Sequence, residues 1–308
     1  MRVQAILNPR AGLKARRALD VLYREHEGWG ALQIALTERP GHARELAEQA
    51  VRERAGLVLA VGGDGTVNEV AGGLLDSATT LGIVPVGSGN GLARALGIPR
   101  DPESALRALA GAVTRRMDVG LANGRPFLNV SGAGFDAAIG HEFHQHGRRG
   151  GRRGIWPYVR LSVRRVLSYR PLLYRLSAGA ERLEARALVV AAFNGRQYGA
   201  GAVMAPRARF DDGLLDLVVL EAAPWWEYVL AAPRAFLGDL ARFRRYRLLR
   251  TATALIDSDG PFEHHRDGEP EPAGTRVELA VRPGALRVLV PRAVAEDPRG
   301  PFGPQAEP

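Results

Sequence analysis

Four short apolar runs, each closed by small or polar residues, organise the first third of the chain. They are VQAILN (3–8), LQIALTE (32–38), LVLAV (57–61) and GIVPVG (82–87). Between them the apolar residues take helical spacing, near 13–26, 42–54, 67–75 and 89–96. Such alternation predicts parallel strands joined by crossover helices. Sheets of that kind collect ligands at the C-terminal ends of their strands. NPRAG (8–12), GGDGT (62–66) and GSGN (87–90) each follow a strand directly, so all three loops are expected on one edge.

After about Met117 the pattern changes. MDVGLANGRPFLNVSG (117–132) predicts a hairpin about Asn123-Gly124, a favoured two-residue turn. YRLSAGAERLEARALVVAAFNG (174–195), LLDLVVLE (214–221), YRLLRTATALID (246–257) and TRVELAVRPGALRVLV (275–290) read as further strands, several paired by glycine turns. Helices are expected near 135–146, 154–168 and 225–240, the last opening on Trp225-Trp226, whose rings either touch lipid or, as the favoured reading, pack on the core. The closing residues, EDPRGPFGPQAEP, are rich in Pro and Gly and predict a loose tail over 295–308. The expected fold is therefore α/β plus mostly β. A Rossmann-like parallel α/β domain spans 1–117, joined by part of 291–308, and an antiparallel β domain spans 118–290.

Composition narrows the classes. A length of 308 residues suits one large domain or two ordinary ones. With no cysteine, disulfides, thiol nucleophiles and cysteine zinc sites are excluded. The N-terminal stretch lacks the apolar region of a leader peptide, and no run reaches the ~18 apolar residues of a membrane span. A cytoplasmic protein is expected. The net charge is +9, and the nine arginines from Arg148 to Arg175, with no acidic residue among them, account for all of it. Within that segment Ile155, Val159, Val163 and Val166 share a helical face. A basic amphipathic helix carrying Trp156 and Tyr158 suits an anionic membrane surface. The plainer alternative is a helix packed on its own domain with solvated arginines. No nucleic-acid reader motif accompanies the charge, so no nucleic-acid partner is expected. His141, His144 and His146, with His264 and His265, lack any zinc spacing.

The informative loop is GGDGT. Glycines let a backbone approach an anion closely, and free N–H groups at a helix start point towards it. Gly62, Gly63 and Gly65 supply that approach and Thr66 a hydroxyl donor. A carboxylate such as Asp64 beside phosphates makes sense if a divalent cation lies between them, or if it assists proton removal. The alternative is a turn with Asp64 as helix cap. The loop is neither Gly-Lys-Ser/Thr nor GxGxxG, so it is not one of the two common phosphate motifs.

GGDGTVNEVAGGLL (62–75) resembles the nucleotide-binding signature of the diacylglycerol kinase catalytic domain family, which includes bacterial soluble lipid kinases and sphingosine kinases. NAD kinases share the GGDGT core, and Asn68-Glu69 favours the lipid-kinase branch. Further matches follow in order along nearly the whole chain: NPRAG, Thr37 in LTERPGHA, PVGSGNGLARALGI, MDVG, DDGLLD and DGE. The resemblance implies an α/β nucleotide domain and a β-sandwich-like lipid domain, with the active site in a cleft between them. It implies ATP and Mg²⁺ as cofactors and a lipid hydroxyl as acceptor. ATP is expected to touch Asn8, Pro9, Arg10, Ala11, Gly12, Thr37, Gly62, Gly63, Asp64, Gly65, Thr66, Val67, Asn68 and Ser88. Glu269 matches the family's general base. Asp267, two residues earlier, is expected to project to the same side of an extended segment and to share the catalytic role with Glu269 and Asp64. A metal site is implied from the Asp212 side chain with main-chain oxygens near Arg209 and Leu214, and Asp118 of MDVG is placed in a water and metal network with Asp64. The third loop departs from the pattern. Gly91 stands where many bacterial members carry aspartate, and Ser88 replaces threonine, as in sphingosine kinases. The expected activity is an ATP-dependent lipid kinase acting on diacylglycerol or a related lipid, peripheral at the inner face of the membrane, with a homodimer open. The rival readings are a sphingoid-base kinase, an NAD kinase-like enzyme and a non-catalytic binding protein.

Overall fold

A computed structural model describes residues 1–24, 26–138, 169–199 and 201–304. The expected helix over 154–168 and most of that over 135–146 lie outside these residues, as do all but the last part of the basic segment and His141, His144 and His146. The chain divides into two compact units: one of Met1–Val119, Phe210–Asp212 and Pro283–Pro308, the other of Gly120–Arg209 and Gly213–Arg282.

The first unit is built on parallel strands β1 (Arg2–Leu7), β2 (Ala31–Leu36), β3 (Leu57–Gly62) and β4 (Thr80–Pro85). Their spatial order is β4-β3-β1-β2, and every pair is parallel. β3 and β4 are buried at every position, which is why they read as unbroken apolar runs. β2 lies at the edge and alternates in exposure. Helices α1 (Leu13–Arg24), α2 (His42–Arg52), α3 (Asp64–Leu74), α4 (Gly91–Ala95) and α5 (Pro102–Ala110) follow the strands. Gly73 lets α3 lie against α2, since a Cβ there would stand 2.7 Å from the Arg44 carbonyl oxygen. The pattern of apolar residues did not reveal α5, yet its start is written in Asp101-Pro102-Glu103-Ser104. The Asp101 carboxylate accepts from the Ser104 amide at 3.0 Å, and Pro102 occupies the first turn.

The chain returns to this unit earlier than expected. From Pro283 the last strand joins the sheet, pairing Arg287 with Thr80 and Val288 with Leu81 in parallel. Pro283-Gly284 is therefore no hairpin turn. Nor is the tail loose through Gly303. Phe302 is fully buried, its ring 5.7 Å from Phe210 and 5.1 Å from the Arg115 guanidinium carbon. Arg115 also bonds Asp211 at 2.9 Å and the Ala295 carbonyl at 3.1 Å. A buried aromatic outweighed the Pro and Gly around it.

The second unit is antiparallel. Strands β7 (Val130–Gly134), β8 (Leu172–Ala178), β9 (Glu181–Phe193), β12 (Leu215–Glu221), β13 (Tyr246–Thr251) and β14 (Thr253–Arg266) form its body. Two short strands, β10 (Gln197–Tyr198) and β11 (Ala202–Val203), pair with each other. β7 and β8 each pair with both β9 and β14, so the sheet closes on itself. Phe127, Tyr174, Val190, Leu217, Phe262 and Val277 fill the interior. A second core of Val189, Phe193, Val218 and Tyr246 lies beneath helix α6 (Trp225–Leu237). The inner half of β9, 187–193, faces both cores and is buried throughout, which explains ALVVAAF. β5 (Val113–Ala122) and β6 (Arg125–Phe127) form the expected hairpin. Asn123 and Gly124 both have positive φ, at 49° and 74°, as the tight turn requires. The final strand β15 (Glu269–Val290) runs back along β14 from a two-residue turn at Asp267-Gly268.

One expectation fails on α6. Trp225 and Trp226 each remain 50% exposed, while Glu227, Ala231 and Ala235 face the core. Two alanines, Glu227 and Tyr228 seat this helix, and its tryptophans and large aliphatic side chains point outward.

Candidate active site

β1, β3 and β4 run parallel, so the loops after them lie at one edge of the first unit. The loops are bonded to one another. Asn8 caps the short turn of Pro9–Ala11 through the Arg10 amide at 3.0 Å and donates to the Thr66 hydroxyl at 3.2 Å. Gly12 closes that turn at φ 78° and ψ −150°, a conformation for glycine alone. Thr37 follows β2, its amide donating to the Leu7 carbonyl at 2.9 Å. Arg10 reaches the Glu38 carbonyl at 3.2 Å. Ser88 is exposed at the tip of the third loop.

Two of the glycines in GGDGT serve packing. A Cβ on Gly62 would collide with the Thr66 side chain at 2.3 Å, and one on Gly63 would press on Gly87 at 3.3 Å. Gly87 is tighter still, its Cβ position 2.6 Å from the Gly63 Cα. The second and third loops thus touch backbone to backbone.

Asp64 does not cap its own helix. It is the first residue of α3, whose N-terminus carries no side-chain cap. Its carboxylate instead accepts from the amides of Asn90 and Gly91 at 2.8 and 2.6 Å, capping α4. Asn90 sits in the left-handed region at φ 55°, its side chain bonded both ways to Gly87. Gly91 therefore meets Asp64 through its backbone amide. Glu69 plays the same part elsewhere: its two oxygens accept from the amides of Gly41 and Ala43 at the start of α2. The Val67 side chain is buried in the core, which leaves only its main chain for a ligand, whereas Asn68 is half-buried on α3.

Asp118 is buried, and one of its oxygens accepts from the Gly284 amide at 2.7 Å. Asp64 and Asp118 thus accept from amides of different elements. Asp211 takes the Gly303 amide and Arg115. Arg209 and Leu214 belong to the second unit and Asp212 to the first, where the chain crosses and returns. Among the described residues no three His, Asp or Glu side chains converge to hold a metal ion. A site built as expected would rest on Asp212 and main-chain oxygens, donors that suit a hard cation.

In the second unit Asp267 and Glu269 do not share one side of an extended segment. Asp267 stands in the tight turn at φ 48°, followed by Gly268 at φ 85°, and Glu269 is the first residue of β15, paired with Arg266. The Asp267 carboxyl accepts from three consecutive amides, Leu128 at 2.6 Å and Asn129 and Val130 at 2.9 Å. Burial pushes that carboxyl above its ordinary value, against the pull of the three amides and His265. Its position is that of a clamp. Glu269 is exposed.

Sequence reasoning missed the groups behind this turn. The Gly268 amide donates to His265 Nδ1 at 3.2 Å, which leaves the proton on Nε2. Nε2 faces the Asp136 carboxylate at 3.1 Å and the Tyr198 hydroxyl at 3.3 Å. Gly132 makes room for the pair, because a Cβ there would stand 2.1 Å from Asp136 Oδ2. Asp136 and His265 lie 129 positions apart, and no local spacing links them.

Two interlocked glycine loops on a parallel α/β unit, followed in the chain by an antiparallel β unit, match the two-domain plan that the sequence led us to expect. Family comparison agrees. Residues 2–122 match the diacylglycerol kinase catalytic domain, and residues 129–290 match the YegS C-terminal NAD kinase beta sandwich-like domain. A protein of Chromohalobacter salexigens named "Probable lipid kinase YegS-like" is 35% identical over 287 residues, 90% of this chain and 89% of that one. A Bacillus subtilis protein named diacylglycerol kinase is 29% identical over 87% of this chain and 89% of its own length. A crystal structure of a diacylglycerol kinase from Bacillus anthracis str. Sterne superposes with a TM-score of 0.72 at 21% identity, covering 95% of this chain and 98% of that one, a likeness of fold. The chain belongs to the diacylglycerol kinase-like family of lipid kinases and is a kinase. Among the described residues no helix is long and apolar enough to cross a membrane.

Proposed function

We propose that the protein transfers the γ-phosphoryl group of ATP to a hydroxyl of diacylglycerol or a related lipid. The observation that carries this reading is the loop edge of the first unit. There the uncapped N-terminus of α3 lies beside two loops locked by Gly63, Gly87 and the Asp64 carboxylate. Amides at a free helix start, the Thr66 hydroxyl and the Asn8 side chain are donors of the kind that hold phosphates and ribose. Phosphoryl transfer asks little covalent work of a protein and much positioning.

In this reading the first loop, Asn8 to Gly12, and Gly62 to Asn68 hold the nucleotide, with Thr37 and Ser88 at its margins. Asp64 keeps the third loop in register. Mg²⁺ brought in with the nucleotide would supply charge neutralisation for the transferred phosphoryl group. Glu269, exposed at the end of a rigid hairpin, takes the proton from the acceptor hydroxyl. Asp267 and His265 hold the turn that presents it.

The test is radiolabel transfer from γ-labelled ATP to a panel of diacylglycerol, phosphatidylglycerol, a sphingoid base and NAD. Label in diacylglycerol or phosphatidylglycerol supports the reading. Label in NAD alone refutes it. That second outcome has a specific motive, since the domain matched by residues 129–290 is described as NAD kinase-like.

A further inference from the structure

Helix α6 exposes what a soluble protein ordinarily covers. Trp225, Trp226, Val229, Leu230, Phe236 and Leu237 all face solvent, from 50% exposed at the two tryptophans to 80% at Leu237. With the exposed Pro233 they occupy one side of the helix, about 140° of arc at 3.6 residues per turn. The other side is fixed to the second unit. Ala231 and Ala235 enter its core, and the Tyr228 hydroxyl bonds the Glu221 carbonyl at 2.7 Å and the Ala223 amide at 2.8 Å. Tyr228 also meets Phe243 edge-on at 6.1 Å. The apolar face is therefore held rigidly outward.

Its surroundings are basic. Arg234, Arg242, Arg244 and Arg245 stand against two acids, Glu227 and Asp239, while Arg247 and Arg250 are paired with Glu221 and Asp216 at 3.0 and 2.9 Å. Glu227 and Asp239 are each shared by two arginines. Asp239 lies 3.8 Å from Arg234 and 3.1 Å from Arg242, and Glu227 lies 2.7 Å from Arg244 and 4.0 Å from Arg245. Each group keeps one surplus positive charge. The Arg244 hydrogen bond holds the Glu227 carboxyl below its usual range, so it stays ionised and the helix stays anchored.

We propose that this face of α6 docks the enzyme on an anionic phospholipid surface, with the tryptophans and Phe236 seated at the headgroup boundary and the arginines against lipid phosphates. Contiguous exposed apolar residues rimmed by charge mark an interaction surface. Aromatic residues on a helix with flanking arginines match the interface of a bilayer. A second copy of the chain fits less well, because it would bring arginines against arginines. The proposal assigns docking to a described helix in place of the basic 148–175 segment. It rests on the lipid-kinase reading for its purpose, though its physics does not depend on which lipid is phosphorylated.

The experiment is flotation of the full-length protein, without nucleotide, on vesicles of phosphatidylcholine and on an equal mixture with phosphatidylglycerol. The wild type is expected to float with the mixed vesicles and weakly with phosphatidylcholine alone. Leu230→Glu with Phe236→Glu, both on the exposed face, should lower partition on the order of a hundredfold with an unchanged melting midpoint. Arg234→Gln with Arg242→Gln should erase the preference for the anionic vesicle. Flotation of the Glu double variant at the wild-type level overturns the proposal. So does a wild type that ignores both vesicles, or one that sediments as a dimer which the Glu variant dissociates. A protein that floats as expected but labels no lipid would sink the kinase reading and leave the docking face standing.

Discussion

Replacing Asp267 by Asn, and separately Glu269 by Gln, tests whether the two acids of the DGE turn divide their work as the geometry implies. Asn is the gentlest change at position 267, because it tolerates φ 48° and Asn-Gly is itself a preferred two-residue turn. The turn therefore survives, and only the carboxyl is lost. In the native turn Oδ1 accepts from Asn129 and Val130, and Oδ2 from Leu128 at 2.6 Å. The single Asn oxygen can keep the first two bonds in weaker, neutral form. Its NH₂ then faces the Leu128 N–H, donor against donor. One hydrogen bond to a charged group is lost and two are weakened, which together cost about 3 kcal/mol. In a unit of this size that lowers the melting midpoint by about 6–12 °C. Glu269→Gln, on an exposed side chain, should shift the midpoint by no more than a degree or two while abolishing label transfer. The assays are circular-dichroism melting and the radiolabel reaction, run on both variants. The division of labour is refuted if Asp267→Asn melts like the wild type yet is inactive. It is also refuted if Glu269→Gln keeps full activity.

Three further outcomes follow from the same geometry. Gly87→Ala forces a Cβ to 2.6 Å from Gly63 Cα and 2.9 Å from Asn90 Oδ1, so it should cost about 1–3 kcal/mol and raise KM for ATP far more than KM for lipid, read by melting and steady-state kinetics. Glu69→Ala strips the acceptor from the amides of Gly41 and Ala43 and should lower the unfolding free energy, read by urea titration, by about 1–2 kcal/mol with kcat little changed. Burial lowers the pKa of His264 below its usual value, so the folded ring stays neutral where the unfolded chain takes a proton near 6.5. Stability is then present above that pH and falls as pH drops below it. His264→Phe should flatten the fall, measured as urea midpoints at neutral and mildly acid pH.

The parts of the fold legible in the sequence were those governed by local rules. β3 and β4 declare themselves because they are buried on both faces, and the Asn123-Gly124 hairpin because the turn needs two positive φ values. The loop edge was legible for the same reason: glycines follow parallel strands. What escaped depends on distance. Phe302 docks the tail against Phe210 and Arg115, a contact no composition rule foresees. α6 shows helical spacing, but spacing alone does not say which face is turned inward. The two small alanines, not the two tryptophans, meet the core. The Asp136–His265 pair joins β14 to the end of β7 across 129 residues.

The acids of the signature carry the deeper lesson. Asp64, Glu69, Asp118, Asp211 and Asp267 come from motifs that read as chemistry, and each one accepts from backbone amides. A carboxylate bound by amides is a fixed anion that ties one loop to the next. Such a tie is strong where the amides are otherwise buried, since losing it leaves donors unpaired. The five acids thereby hold α4, α2, the entry of the last strand, the tail and the β7 turn in place. Glu269 is different: it is exposed at the head of β15, beyond the clamped turn. A general base must meet a substrate hydroxyl that arrives from outside, and a carboxylate already committed to amides is poorly placed to do so. Asp64 can therefore matter greatly to catalysis while acting through the shape of the third loop. Its substitution by Asn, which keeps an acceptor for one of the two amides, should then retain more activity than Glu269→Gln.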